Sequence, residues 1–503
     1  MEQNIFDNEL ILVSNRGPMS YTRDRHGELT TVRGGGGLVT ALLGVAASCD
    51  ITWIASAMTQ EDAEVSLRMG GQAAKVSHGE HKLGLRFVIS EPAAYDMFYN
   101  VIANPMIWFI QHYLWDLSVA PDIRSNETEA WEKGYLVVNQ QFADAVCDEL
   151  AQREGTRPVV MLHDYHLYTC PSQVRKRYPD AFLHQFIHIP WPQSDSWRVL
   201  PRPIRQAIVR GLLANDIVAF HTRKYVRNFL VCCEELVGCP VDYERSTVSF
   251  EGREVWVRAY PISIDCADFE RLAESGPVCL EEEKIEEMRR EYLIMRVDRM
   301  DLSKNIVRGF KAFDIFLDEH PEFKQRITFL ALLQPSREDV KEYVSYREQI
   351  MRVVEVINTK HGTANWMPVD LRMQDNFNRS VAAYKQFDVL LVNAIYDGMN
   401  LIAKEAGLIN RRDGVIILSE NTGAHEELGE YCLTVSPFDL VSQAQAIYEA
   451  LTMEKDEKKR RAGMIKDAVK SNDIRKWIES QFVDIKAKMG ELSQTAGQGG
   501  QNE

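Results

Sequence analysis

The feature that most constrains this chain is a rhythm of short, unbroken apolar runs separated by longer amphipathic stretches. "LILVSN", "ITWIASA", "RFVIS", "PVVMLHDY", "FLHQFIHIP", "DIVAFHT" and "VWVRAYPISI" mark the first half, and "YLIMRVD", "ITFLALLQP", "DVLLVN", "GVIILSE" and "YCLTVSP" the second. A strand with one wet face alternates apolar and polar residues, whereas a run apolar at every position suits a strand covered on both faces. The amphipathic stretches supply the covering helices, so the expected class is α/β with parallel, doubly wound sheets. At 503 residues the chain exceeds what one core serves. The rhythm breaks at "CADFERLAESGPVCLEEEKIEEMRREY", which places a junction near residue 265. Two Rossmann-like domains are therefore expected, over 1–265 and 266–473, facing each other across a cleft. The tail from 491 to 503 is small, polar and Gly-rich, and is expected to be disordered.

Charge narrows the partners. With 58 basic and 73 acidic residues the net charge is −15, which disfavours nucleic acid and anionic membranes as partners. An anionic small substrate would need locally placed cations. The nine cysteines form no CxxC pair and no metal-ligand spacing, so no metal or resident cofactor is expected, and a reducing cytoplasm is the expected home. "MEQNIFDNELILVSNRG" is not a signal peptide, and no stretch reaches the ~20 apolar residues of a membrane span. Self-association is left open.

In doubly wound sheets ligands sit beyond the carboxyl ends of the strands. Five strand ends carry unusual polar residues: Asn15 and Arg16; His163 and Asp164; Arg299 and Lys304; Arg337; Asp397 and Glu405. Any one arginine of this kind is ordinarily a surface ion pair, and Asp397 with Asn400 alone would be a helix cap. Several bases gathered on one edge of a net acidic chain instead imply a phosphate site. In "DGMNLIAKE" the amides around Gly398, Met399, Asn400 and Leu401 open a helix and suit a diphosphate. Asp397 suits sugar hydroxyls, Glu405 a ribose diol, and Arg299 with Lys304 the leaving diphosphate. "RGGGGLVTALLG", with Gly37, adds a loop that opens onto a helix, but it meets neither nucleotide motif.

"VSNR", "GGGL", "HDYHL", "HIPWP", "R-x-D-x-SK", "PSR" and "DGMNLIAKE" occur in the order found in trehalose-6-phosphate synthases, which the chain resembles from about residue 10 to about 485. These are retaining glycosyltransferases of two Rossmann-like domains (GT-B type). The resemblance implies that Arg16, Tyr99, Trp108 and Arg337 bind the acceptor sugar phosphate, and that Gly37 touches the donor diphosphate. It implies that His163 and Asp397 hold the donor sugar, Arg299 and Lys304 its diphosphate, Asn400 and Leu401 their amides to phosphate, and Glu405 the ribose. A final helix at about 474–490 would pack back on the first domain.

The implied reaction moves glucose from a nucleoside diphosphate to glucose 6-phosphate with retention and without a side-chain nucleophile. Two departures point toward another acceptor. Ala55 stands where these synthases usually carry a second tryptophan, and Asn305 follows Lys304 in place of the usual glycine. Both features are similar to those of pseudo-glycosyltransferases that join a nucleotide cyclitol to an amino-cyclitol phosphate; a glucosylglycerol-phosphate synthase is a further alternative. A non-catalytic sugar-phosphate sensor would be expected to lack some of Arg299, Lys304, Asp397 and Glu405, and all four are present.

Overall fold

The computed structural model describes residues 9–33, 51–78, 81–153, 155–337 and 340–499. The chain divides into two compact units, Met1–Pro261 with Arg475–Glu503, and Ile262–Ile474.

The strands of the first unit are β1 (Leu10–Val13), β2 (Met19–Arg23), β3 (Leu29–Arg33), β4 (Ile51–Ser56), β5 (Ala74–His78), β6 (His81–Val88), β7 (Val159–His163), β8 (Phe182–Phe186), β9 (Ile217–Phe220), β10 (Val241–Asp242), β11 (Thr247–Phe250) and β12 (Arg253–Ala259). Ten of them form one sheet in the order β10-β11-β12-β9-β8-β7-β1-β4-β6-β5, while β2 and β3 pair as a separate hairpin. The interior strands are parallel, and the antiparallel pairs β10–β11, β11–β12 and β5–β6 lie toward the two edges. β1, β4, β7, β8 and β9 are buried at every position, as their mostly apolar sequences suit, and β8 buries His184 and Gln185 as well. From β1 the chain builds outward through β4 and β6, then returns to β7 on the other side. Strand order therefore reverses between β1 and β7.

The second unit holds β13 (Tyr292–Arg299), β14 (Ile327–Gln334), β15 (Val369–Arg372), β16 (Val389–Val392), β17 (Val415–Ser419) and β18 (Leu433–Val435). Its sheet is parallel throughout, in the order β15-β14-β13-β16-β17-β18. Phe310, Phe313 and Phe316 of the Ile306–Glu319 helix, all fully buried, pack with Phe329 of β14 in one core. Here order reverses between β13 and β16.

Two boundaries differ from the sequence reading. The junction lies at Pro261/Ile262 rather than at 265, because "ISI" already belongs to the second unit: the Ile262 carbonyl accepts from Lys404 Nζ at 2.8 Å, and the Ile264 carbonyl from the Ile474 amide at 3.0 Å. The last helix runs over Ile474–Gly499, so residues 491–499 are helical where disorder was expected. Its Leu, Gln and Ala residues are good helix formers, which outweighs the small, polar composition that suggested disorder.

From Arg475 the last helix is part of the first unit. Trp477, 3% exposed, meets Phe186 of β8 edge-on at 5.4 Å. One turn and more further on, Asp484 accepts the Tyr260 hydroxyl at 2.7 Å and pairs with Arg258 at 3.4 Å. Trp477→Ala should therefore cost about 3 kcal/mol or more, read as a lower urea midpoint. A loss under about 1 kcal/mol would show that this helix does not anchor the unit.

Candidate active site

In the second unit the reversal between β13 and β16 brings two strand-end loops together with no crossover between them. The loop after β13 is pinned by Asp301, whose Oδ1 accepts from both the amide and the hydroxyl of Ser303 at 3.0 Å. A single turn over Leu302–Lys304 follows, and Asn305 takes a left-handed conformation, φ 58°, before the Ile306–Glu319 helix begins. The loop after β16 is tied to it by the Ile395 amide, which donates to the Ser303 carbonyl at 2.8 Å.

Across this join Lys304 Nζ meets Asp397 Oδ2 at 2.5 Å. Asn400 Nδ2 donates to the same oxygen at 3.0 Å, and its own Oδ1 accepts the Ala403 amide at 3.3 Å to cap the Leu401–Ile409 helix. Asn400 therefore does two jobs from a left-handed backbone, φ 76°. The loop after β17 backs the arrangement: the Gly423 amide donates to the Asp397 carbonyl at 3.0 Å and the Ala424 amide to that of Met399 at 2.8 Å. A Cβ at position 423 would lie 2.0 Å from the Gly398 carbonyl oxygen, so only glycine permits this approach. Among the described residues, the amides of Gly398, Met399, Asn400 and Leu401 donate to no backbone carbonyl. A row of N–H groups at a helix start, beside a lysine and the exposed Arg299, is a natural phosphate cradle.

Glu405 lies one turn into that helix, half-buried, and accepts a hydrogen bond from the buried Tyr384 hydroxyl. Desolvation pushes its carboxyl up to about 7, and the Tyr384 bond only partly opposes this. Arg337 is held within the unit. Its Nη1 pairs with Asp301 Oδ2 at 3.1 Å and touches the Tyr343 hydroxyl, which also donates to Asp301 at 3.0 Å. Asp301 thus joins Arg337 to the Lys304 turn, a link the sequence reading passed over although "R-x-D" contains it.

The first unit repeats the design between β1 and β7. Arg16, exposed after β1, donates to the Tyr99 hydroxyl. Tyr95, Tyr99 and His166 stack in a near-parallel ladder, with centroids 5.8 and 5.9 Å apart and planes within 9° and 7°. Asn15 steadies the ladder, accepting from Ser56 Oγ at 2.9 Å and Tyr95 at 3.2 Å. Tyr95 and His166 were not singled out from the sequence, where nothing distinguished them from core aromatics.

Three expected positions look different in the structure. Trp108 is 6% exposed, stacked on His112 at 4.1 Å and tilted against Tyr165, so it underlies this surface. His163 is fully buried, its Nδ1 3.2 Å from His188 Nε2, and desolvation lowers its pKa to about 3. Its ring is therefore neutral at physiological pH, a hydrogen-bonding group rather than an acid. Ala55 is fully buried in β4, and Gly17 packs so closely that a Cβ there would lie 3.0 Å from the Ala55 methyl, so the surroundings leave no room for a tryptophan. Gly37 lies outside the described residues.

The model of glycosyltransferase family 20 matches residues 8–487. The chain is 30% identical over 491 residues to validamine 7-phosphate valienyltransferase of Streptomyces hygroscopicus subsp. jinggangensis, covering 97% of this chain and 96% of that protein. It is 32% identical over 460 residues to the UDP-forming alpha,alpha-trehalose-phosphate synthase of Botryotinia fuckeliana, covering 89% and 83%. A trehalose-6-phosphate structure from E. coli bound with UDP-2-fluoro glucose superposes with a TM-score of 0.81 at 27% identity, over 95% of this chain and 99% of that one. An alpha,alpha-trehalose-phosphate synthase of Burkholderia xenovorans in complex with glucose-6-phosphate gives 0.80 at 25%, over 95% and 100%.

Glu405 makes a measurable contribution to pH dependence. Its folded pKa lies above the ordinary carboxylate value, so the folded chain holds this proton more tightly than the unfolded chain. The associated stability is present below the ordinary value and is lost as pH rises through about 7. Glu405→Gln should therefore melt higher than the parent at pH 8, by ~3 °C or more, and gain less or nothing at pH 5. Scanning calorimetry at the two pH values checks this; an equal shift at both would show that Glu405 is not held protonated by its surroundings.

Proposed function

This chain belongs to glycosyltransferase family 20, and from that premise we propose that it transfers a glucosyl group from a nucleoside diphosphate glucose to glucose 6-phosphate, giving trehalose 6-phosphate and the nucleoside diphosphate. The observation that carries the donor half is the Lys304–Asp397–Asn400 constellation beside the amides of Gly398 to Leu401 at the strand-order reversal. In this reading the diphosphate lies on those amides, Arg299 and Lys304 balance its charge, and Asp397 exchanges its lysine for sugar hydroxyls. Glu405 takes the ribose diol. The relatives that form UDP and the neighbour bound with UDP-2-fluoro glucose make UDP-glucose the first donor to try.

The acceptor half rests on Arg16 and the Tyr95–Tyr99–His166 ladder, a cation beside an aromatic wall. Arg337 serves it only if the acceptor phosphate replaces Asp301 as its partner.

We further propose retention by attack on the face from which the leaving group departs. The anomeric carbon–oxygen bond to the diphosphate breaks, the acceptor oxygen bonds to that carbon, and its proton passes to the departing phosphate oxygen. Asp397 is tied to Lys304 and Asn400 and is not poised as a nucleophile, while neutral His163 is not a proton donor of the imidazolium kind. The work left to the protein is positioning and charge stabilisation by Arg299 and Lys304. The free thiols among the described cysteines support a reducing, cytoplasmic setting. No helix among the described residues is long and apolar enough to cross a membrane.

A second reading, transfer of a cyclitol from a nucleotide cyclitol to an amino-cyclitol phosphate, is favoured by the 30% identity to the valienyltransferase. Incubation with UDP-, GDP- and ADP-glucose or a nucleotide cyclitol, and either glucose 6-phosphate or an amino-cyclitol phosphate, followed by mass spectrometry, separates the two. A disaccharide phosphate is expected from glucose 6-phosphate; none with any donor would refute the first reading. Arg299→Ala and Lys304→Ala should each lower kcat/KM ~100-fold or more, whereas Arg337→Ala should act mainly on the acceptor KM.

A further inference from the structure

Arg296 stands in the interior of β13, fully buried, where an arginine is expensive to place. It shares a strand face with Asp298, two residues on. Its guanidinium grips one oxygen of that carboxylate, through Nε at 3.1 Å and Nη2 at 2.7 Å. Its other hydrogen bonds go to backbone: Nη2 reaches the Lys304 carbonyl at 3.0 Å and Nη1 the Ile306 carbonyl at 3.3 Å. One buried cation thus holds the chain on both sides of Asn305.

Its space comes from Gly309. A Cβ there would lie 2.5 Å from Arg296 Nη1, and a glycine inside a helix costs about 1 kcal/mol relative to alanine. Stability alone is a poor account of the arrangement, because a buried ion pair is often replaceable by apolar residues without loss. The place where the guanidinium bonds end is more telling. They end on the turn that carries Lys304, and Asp298, the carboxylate that Arg296 occupies, also attracts the Lys304 ammonium.

We infer that Arg296 is a positioning residue for Lys304: it fixes the carbonyl of the lysine itself and engages Asp298, so that the ammonium faces Asp397 and, when a donor binds, its diphosphate. The inference rests on the donor reading above and deepens it. An uncharged residue at 296 frees the turn and leaves Asp298 to draw Lys304 inward, away from phosphate. The loss falls on the second phosphate and not on the nucleoside.

The test compares affinities for UDP and UMP by calorimetry in the parent, Arg296→Met, Arg296→Lys and Gly309→Ala, with the GDP/GMP and ADP/AMP pairs run on the parent. If the parent prefers no diphosphate to its monophosphate, the donor reading falls and the inference with it. If the parent does prefer UDP, Arg296→Met should weaken UDP ~10-fold or more while UMP changes less than ~2-fold. Arg296→Lys, which keeps the charge, should recover part of the loss. Gly309→Ala, whose methyl meets the end of the guanidinium, should lower the UDP/UMP ratio in the same direction and decides the matter if Arg296→Met does not fold. Equal weakening of both nucleotides, or an unchanged ratio in the folded variants, would overturn the positioning role while leaving the donor reading intact.

Discussion

The site depends on one constraint of parallel sheets: all strands deliver their carboxyl ends to the same edge, and only where strand order reverses do two neighbouring ends lack a crossover between them. Each unit has one such place, between β1 and β7 and between β13 and β16. Everything assigned to chemistry here gathers at these two reversals. Arg16 with the Tyr95–Tyr99–His166 ladder sits at the first, and Lys304 with Asp397 and Asn400 at the second. The sheets supply rigidity, because strands buried at every position cannot shift without breaking their packing. The loops can then be short and held by a few named hydrogen bonds.

Charge at the second reversal is arranged as a set of cation–carboxylate pairs. Lys304 holds Asp397, Arg337 holds Asp301, and Arg296 holds Asp298. These pairs differ in exposure. Arg296 is fully buried and its partner nearly so, whereas the Lys304 and Asp397 side chains retain 14% and 17% of their exposure. A pair with some access to solvent can trade one partner for a ligand at modest desolvation cost, while a pair sealed in the core cannot. The same chemistry thus serves as a sealed scaffold in one place and stays open to solvent in the other. The local balance at the loop ends therefore departs from the net charge of −15, and Arg299 adds an exposed positive charge there.

How much of this was legible in the sequence follows from what each signal measures. Apolar runs report strands buried on both faces, so the buried parallel strands of the two sheets and their ends followed from them directly, whereas the antiparallel edge strands β5, β10 and β11, the β2–β3 hairpin and the edge strand β15, which lack such runs, did not. "DGMNLIAKE" was legible as a helix cap next to a polar loop, and Asn400 joins the two by capping the Leu401–Ile409 helix while it holds Asp397. Exposure was less legible. His163, Trp108 and Ala55 lie within the packed part of the first unit, and nothing in their neighbouring residues separates a buried aromatic or alanine from one that lines a surface. Arg296 was missed for the opposite reason: an arginine within a strand reads as an outward-facing charge, and its burial depends on Gly309, thirteen positions away on a helix. A glycine in a helix ordinarily reads as a weak point; here it marks where another side chain needs room.

Asn305 shows why a departure from a family pattern need not signal a different substrate. Its backbone sits at φ 58°, a conformation that glycine takes freely and asparagine takes at little cost. The side chain then adds ties that glycine lacks: Nδ2 donates to the Asn393 carbonyl at 2.9 Å and the Pro437 carbonyl at 2.7 Å, and Oδ1 accepts from Arg308 at 2.9 Å. These bonds link the loop after β13 to segments that follow β16 and β18, all within the second unit. Asn305 is 2% exposed and its amide is committed to the scaffold, so it has nothing left to offer an acceptor. Ala55 is equally sealed. Both departures are thus scaffold positions, in contrast to Arg16 and Tyr99 of the first unit, which keep access to solvent.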